Sequence, residues 1–320
     1  MPFVKDEFFI KEPIPAFVML MQKYGITQSE AQRIIDRGRI LVEGQRLADK
    51  AVEISGFTEV VIFRAIAKGI EPIFKTPDFM VFDKPSGVLV HPRKMDTPHS
   101  MLDEVRYYGG KKANSTHRID KETSGLLLAS IHKDAEKFLK CAFETKDIQK
   151  GYRAWVRGRI DNEFVVKESI IVNDDYSNIK HKVFINNQGK KAQTEYKPIL
   201  YNSEYDATLL ECIPYTGRTH QIRIHLFHVK HPILGDPLYG TSYEIAEAYL
   251  EQRLSPEDRL RYTGAKRLML HAYSLSFEYR NRFFLTSRDD FNRCNDLAQK
   301  SIRDNNIYDG YKRLTNVIQI

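Results

Sequence analysis

Cysteine is scarce in this sequence: Cys141, Cys212 and Cys294 lie far apart, with no CxxC pair among them. An odd number at such spacing argues against a disulfide framework and against a cysteine zinc site, and it suits a reducing compartment. Long apolar runs are missing as well; none approaches the roughly 18 residues that a membrane-spanning helix requires. The opening MPFVKDEFFIKEPIPAF is broken by charges and prolines, unlike a signal peptide. No HExxH metal helix, Gly-Lys-Ser/Thr phosphate loop, GxSxG elbow or PCxxC pair is present. Internal repeats and low-complexity tracts are absent too. The expectation is a cytoplasmic, monomeric protein without a cofactor.

What is present supports a folded enzyme. Of 320 residues, 42% are hydrophobic and 11% aromatic, enough for one large domain or two unequal ones. Lysine and arginine outnumber acidic residues by 49 to 42, giving a net charge of +7. That balance suits a polyanionic partner but does not by itself identify one.

Three sections follow from the pattern: residues 1–66, 73–280 and 281–320. In the first, Thr27 and Ser29 are both N-cap candidates for a helix whose apolar face carries Ala31, Ile34 and Ile35, and Gly38 is placed to end it. ILVEGQRL reads as two short strands around a Glu43-Gly44 turn. From Ile73 to Tyr279, strand-like runs (FMVFDKP, GLLLASI, YRAWVRGRI, ATLLECIP, AYSLSFEY) alternate with helical patterns such as KDAEKFLKCAFET. This order predicts an α+β domain on a mixed, largely antiparallel sheet. The tail from Asn281 is polar and reads as weakly helical.

The chemistry concentrates in HRIDKETSGLLLAS, residues 117–130. His117, Arg118, Asp120 and Lys121 precede a Thr-Ser-Gly turn that runs into an apolar strand, so Asp120 stands at the rim of a core. A carboxylate there needs a cationic partner to stay ionised. On local chemistry alone a structural ion-pair loop, common at strand ends, is the better-supported reading. His220, His225, His228 and His231 cluster within twelve residues and invite a zinc reading, which no recognised ligand spacing supports.

HRIDKETSGLL is similar to the signature of the RluA-type pseudouridine synthases, with Ile119 in place of the usual leucine. DKPSGVLVHP (83–92), KGYRAWVRG (150–158), TGRTHQIRIHL (216–226) with HPILGDPLYG (231–240), and LHAYSLSFEY (270–279) resemble that family's further motifs in their family order. Together they span about two thirds of the chain. The resemblance implies an isomerase that cleaves the C1′–N1 bond of a uridine, turns the base and rejoins it through C5. It needs no metal or cofactor and acts on ribosomal RNA of the large subunit or on tRNA. Asp120 aligns with the catalytic aspartate, which adds to the sugar or removes a C2′ proton; the sequence does not choose between these routes.

By the same alignment Tyr152 matches the tyrosine that stacks on the base. Arg223 matches the arginine paired with the aspartate, and an arginine fork suits a carboxylate bidentately. Arg118 matches the arginine near the everted nucleotide, whose neighbour His117 contacts phosphate or closes the turn. Arg218 is the fallback partner: read as strand, its odd spacing from Arg223 puts it on the opposite face, toward RNA. Ile222 and Leu226 are expected to line the base pocket. The stretch from Pro15 to Arg64 resembles the small RNA-binding module of ribosomal protein S-four, with Arg33, Arg37 and Arg39 on its basic face. It carries seven basic and six acidic residues, so only their clustering would make it a binding surface. Two rival readings remain: an RNA-binding factor on this fold that has lost activity, and a hydrolase pairing Asp120 with a second acid, for which Glu122 is the nearest residue.

Overall fold

The computed structural model describes residues 2–172, 183–293 and 296–299. Cys294 and residues 300–320 of the expected carboxy-terminal section lie outside them. The chain divides into two compact units, Met1–Gly69 with His91–Tyr107, and Ile70–Val90 with Tyr108–Ile320.

The first unit opens with a strand, β1 (Phe3–Pro15), followed by helices α1 (Ala16–Tyr24) and α2 (Gln28–Asp36) and strands β2 (Ile40–Val42), β3 (Gln45–Arg46) and β4 (Glu53–Phe63). These strands form an antiparallel sheet in the order β1-β4-β2-β3. Thr27, rather than Ser29, is the N-cap of α2: its hydroxyl accepts from Glu30 N–H while the Glu30 carboxylate accepts from Thr27 N–H, a reciprocal capping box. The hairpin turns at Glu43 and Gly44, both at positive φ. That two-residue turn follows the right-handed twist of its strands, and glycine enters it without strain. Ala31 and Ile35 share one helix face and pack with Ala16, Leu20, Ile40 and Val60.

The second unit carries β5 (Pro72–Lys75) and β6 (Phe79–Lys84). After α3 (Met101–Gly109), whose first turns belong to the first unit, come β7 (Asn114–Ser115), β8 (Ser124–Ser130), α4 (Lys133–Glu144) and β9 (Gln149–Arg157). Then follow β10 (Phe164–Val166), β11 (Ile170–Val172), β12 (Val183–Ile185), β13 (Thr194–Asn202) and β14 (Ala207–Pro214). Helices α5 (Gln221–His228), α6 (Tyr243–Leu250) and α7 (Pro256–Thr263) precede β15 (Leu270–Tyr279) and β16 (Asn281–Thr286).

The large sheet runs β10-β13-β14-β9-β15-β8-β6-β5, with β7 added beside β8 and β16 beside β15. Among the described strands only the β15–β8 contact is parallel, so the sheet is mixed and largely antiparallel. At that contact Gly125 sits at φ 103°, and a Cβ there would meet the Ala272 carbonyl at 2.3 Å. Leu139 and Ala142 of α4 pack on Leu126 and Leu128 of β8. A second core gathers Trp155, Leu209, Leu210, Ile222, Leu226 and Leu270. Burial of these side chains is the main driving force for the layer.

Two expectations are corrected. The segment from Asn281 begins as strand β16, because Phe283 and Leu285 alternate into the core beside β15. The Thr-His-Gln-Ile-Arg run is a helix, α5, rather than a strand. Ile222, Ile224 and Leu226 alternate with Gln221, Arg223 and His225 as strand residues would, but the helix is buried on nearly every side, so no 3.6-residue period shows.

Candidate active site

Asp120 lies in the loop between β7 and β8, and that loop is pinned from two sides. From the end of β6, the Gly87 amide donates to Lys121 O at 2.9 Å and the Ser86 hydroxyl to Glu122 O at 2.6 Å. The buried Lys84 ammonium donates to Pro85 O, Val88 O and Lys121 O at 2.9–3.0 Å. Burial pushes its pKa down to about 7, against the nearby negative charge of Asp120 and Glu122. On the other side the Glu122 carboxylate accepts from Arg259 Nη2 of α7 at 2.7 Å and from the Tyr249 hydroxyl of α6 at 3.0 Å. Burial would raise the Glu122 pKa, but Arg259 outweighs it and holds the group below the usual carboxylate range. Glu122 is therefore a tied anion that anchors the loop.

Arg223 lies between two carboxylates. Its Nε and Nη2 fork onto Asp236 at 2.7 and 2.8 Å, while Nη1 reaches Asp120 Oδ2 at 3.2 Å. The Arg223 side chain is 4% exposed, Asp236 0% and Asp120 28%. The expected bidentate fork thus belongs to Asp236, and Asp120 receives a single bond. Burial opposes the Arg223 charge, yet Asp236 and then Asp120 raise its pKa above the ordinary value. Asp236 is itself held low: burial would raise it, but Arg223 and the Leu238 and Tyr239 amides, at 2.9 and 3.1 Å, prevail. The result is a preorganised cation with one free arm aimed at the more accessible carboxylate.

His220 faces the same oxygen, with Nε2 3.7 Å from Asp120 Oδ2 and Nδ1 3.0 Å from the Tyr239 hydroxyl. That hydroxyl also accepts from Val183 N–H. His220 has φ 52° at the entry to α5, a left-handed conformation that costs a non-glycine residue about 1–3 kcal/mol. Sequence reasoning assigned roles to neither Asp236 nor Tyr239. The signal was HPILGDPLYG itself, where a charged residue sits among apolar neighbours and needs a buried counter-ion.

The remaining expected site residues divide. Tyr152, on β9, has a phenol pushed up first by burial and then by the charge of Asp120. It stays a neutral ring suited to stacking. Arg118 is exposed and makes no hydrogen bond or ion pair with a described residue. His117 closes the turn: its Nε2 accepts from Leu128 N–H at 3.0 Å and its ring stacks on Phe143 at 4.4 Å. Burial and then Lys150 lower its pKa to about 3, so it is no cationic phosphate contact. Arg218 is exposed and bonds Lys191 O through Nε at 3.3 Å, with no part in the Asp120 pair. Leu226 is 0% exposed and Ile222 6%, both in the central core. Helical α5 turns both into the packing. In the first unit Arg33 and Arg37 are exposed, while Arg39 is half-buried over the Phe3 ring at 4.5 Å.

The four clustered histidines go to separate partners: His225 to Glu168 O, His231 to Arg157 O and His220 to Tyr239, with His228 exposed. Among the described residues no group of three His, Cys, Asp or Glu side chains is placed to hold a metal.

An accessible carboxylate on a clamped loop at the mixed sheet, with a shared guanidinium behind it, defines a polar-group chemistry site built on an α+β fold. Residues 78–228 match the family model of RNA pseudouridylate synthases. A protein of Helicobacter pylori strain J99, described as an uncharacterized RNA pseudouridine synthase, is 36% identical, covering 89% of this chain and 94% of its own. Ribosomal large subunit pseudouridine synthase C of Pasteurella multocida is 28% identical, over 82% and 81% of the two chains. The solved structure of human RNA Pseudouridylate Synthase Domain Containing 1 shares the fold, with a TM-score of 0.57 at 21% identity, covering 80% of this chain and 97% of that one. The chain belongs to the RNA pseudouridine synthase family and is an isomerase. No helix among its described residues is long and apolar enough to cross a membrane.

Proposed function

We propose that Asp120 is the catalytic carboxylate of this isomerase and that its substrate is a uridine in structured large-subunit ribosomal RNA. The observation that supports the first part is the asymmetric sharing of Arg223. Asp236 takes the fork and is sealed, whereas Asp120 keeps one bond and contact with solvent. Asp120 then adds to C1′ or withdraws the C2′ proton as the C1′–N1 bond breaks; both routes require an ionised carboxylate at the ribose. The freed uracil turns and bonds through C5, while N1 gains a proton and C5 gives one up. Tyr152 offers the neutral face on which the base turns. A stacked uridine must first be everted, at a cost of roughly a few kcal/mol, and the unpaired Arg118 guanidinium is available to brace the vacated position.

The second part rests on relatives named for the large ribosomal subunit. The helix pair and hairpin of the first unit, with Arg33 and Arg37 exposed, support the reading of that unit as an RNA-holding module. The test is tritium release from RNA labelled at uridine C5. Release is expected from ribosomal RNA, and Asp120→Asn should abolish it with RNA affinity within about twofold, because the carboxylate acts on the reaction rather than on binding. Release from tRNA alone would reassign the substrate. A wild-type protein that binds RNA yet releases no tritium would leave a binding factor.

A further inference from the structure

Lys150 is a half-buried lysine with no hydrogen bond or ion pair to any described residue. An ammonium held out of water without a counter-ion is costly, and burial lowers its pKa with no carboxylate acting to raise it. Lys84 shows the contrast, since its buried ammonium is satisfied by three carbonyls.

Its position shows which face of the strand the ammonium serves. Lys150 stands two residues before Tyr152 on β9, so both side chains leave the same face of the strand. Its Nζ lies 6.0 Å from the Phe143 ring, on which His117 stacks, and a Cβ on Gly217 would sit 3.5 Å from it. The ammonium is thus flanked by the loop that reaches Asp120 three residues after His117 and by the loop that reaches His220 three residues after Gly217. His220 faces Asp120. A glycine at that place leaves room beside the cation, and the lowered pKa of His117 keeps a second positive charge away.

We propose that Lys150 Nζ binds a backbone phosphate oxygen of the RNA strand beside the everted uridine. This rests on the reading of the chain as an enzyme of RNA. An RNA phosphate is a counter-anion for this ammonium only when the nucleotide is seated in front of Tyr152. Lys150 is a substrate-positioning residue that ties affinity to correct placement.

The experiment measures Kd for an in vitro transcribed large-subunit ribosomal RNA fragment across a range of KCl, for wild type, Lys150→Met and Lys150→Arg. Loss of one phosphate contact should lower the slope of log Kd against log[KCl] by about 0.7–1 and weaken binding about fivefold near 0.1 M salt. Lys150→Arg should restore the wild-type slope. A methionine variant with the wild-type slope, or an arginine variant with the methionine slope, would overturn the proposal. If Lys150→Met does not fold, acetylation of Lys150 in the wild-type protein is read by mass spectrometry with and without the same RNA. Protection is expected, and equal labelling overturns the assignment. Neither readout requires turnover, so a missing tritium signal speaks against the proposed reaction and leaves this test standing.

Discussion

At the residue scale the site depends on one guanidinium serving two acids. Removing Arg223 strands Asp236, which is wholly buried; breaking such a pair on one side costs about 3–5 kcal/mol. Arg223→Met should therefore lose stability by that amount. In Arg223→Met/Asp236→Asn the amide oxygen can still accept from Leu238 and Tyr239, and no charge is left inside. The double variant should recover more than half of the loss in urea unfolding, yet release no tritium, because Asp120 has lost its cation. Stability losses that simply add in the double variant would show that the two residues are not coupled. Arg223 and Asp120 were legible in the sequence through their motifs. Asp236 was not, since a pairing over 13 residues through a loop leaves no periodic trace.

At the scale of elements, the strands of the large sheet could be read because each is an apolar run bounded by turn residues, and β8 is buried along its whole length. The long strand β1 escaped because its apolar pattern does not alternate cleanly: Asp6 lies on the partly buried side, Phe9 on the exposed side, and Pro13 interrupts it. Helix α5 escaped because Ile222, Ile224 and Leu226 alternate with polar residues as in a strand, while the helix itself is enclosed on almost all sides. In α2 the sequence showed both faces: Ala31 and Ile35 inward, Arg33 outward. Asp36 is engaged by Lys50 at 2.8 Å and Glu30 by the cap, so those acids already have local partners. If this element meets RNA phosphates, Arg33→Glu/Arg37→Glu should weaken RNA binding and flatten its salt dependence by roughly two contacts' worth. Wild-type binding across the salt range would reduce the helix to a scaffold.

At the scale of the whole molecule, three buried histidines among the described residues govern the response to mild acid. Burial is the leading cause that lowers His117 and His271 to about 3 and His225 to about 4. Unfolded histidines take up protons near pH 6.5. Between that value and the folded pKa values the unfolded chain binds more protons, so stability falls as pH drops through the window, and these three groups leave it unchanged above that window. Each group removes about 1.4 kcal/mol per pH unit, and at pH 5 the three together remove up to about 6 kcal/mol, comparable to the roughly 5–15 kcal/mol by which domains are stable. Glu136, with a pKa near 2, and the lowered Asp236 and Glu122 give up their contributions only at lower pH, below the ordinary carboxylate range. The melting temperature should therefore fall gently from pH 8 to 7, where Lys84, with a pKa near 7 in the fold, binds fewer protons than in the unfolded chain, and steeply from 6.5 to 5. His117→Gln, which can still accept from Leu128 N–H through its side-chain oxygen, should have a gentler fall by about a third, because one of three proton-binding differences has been removed. A melting temperature level down to pH 5 would mean that these imidazoles titrate in the folded protein as they do in water, and that the closed turn at His117 opens freely.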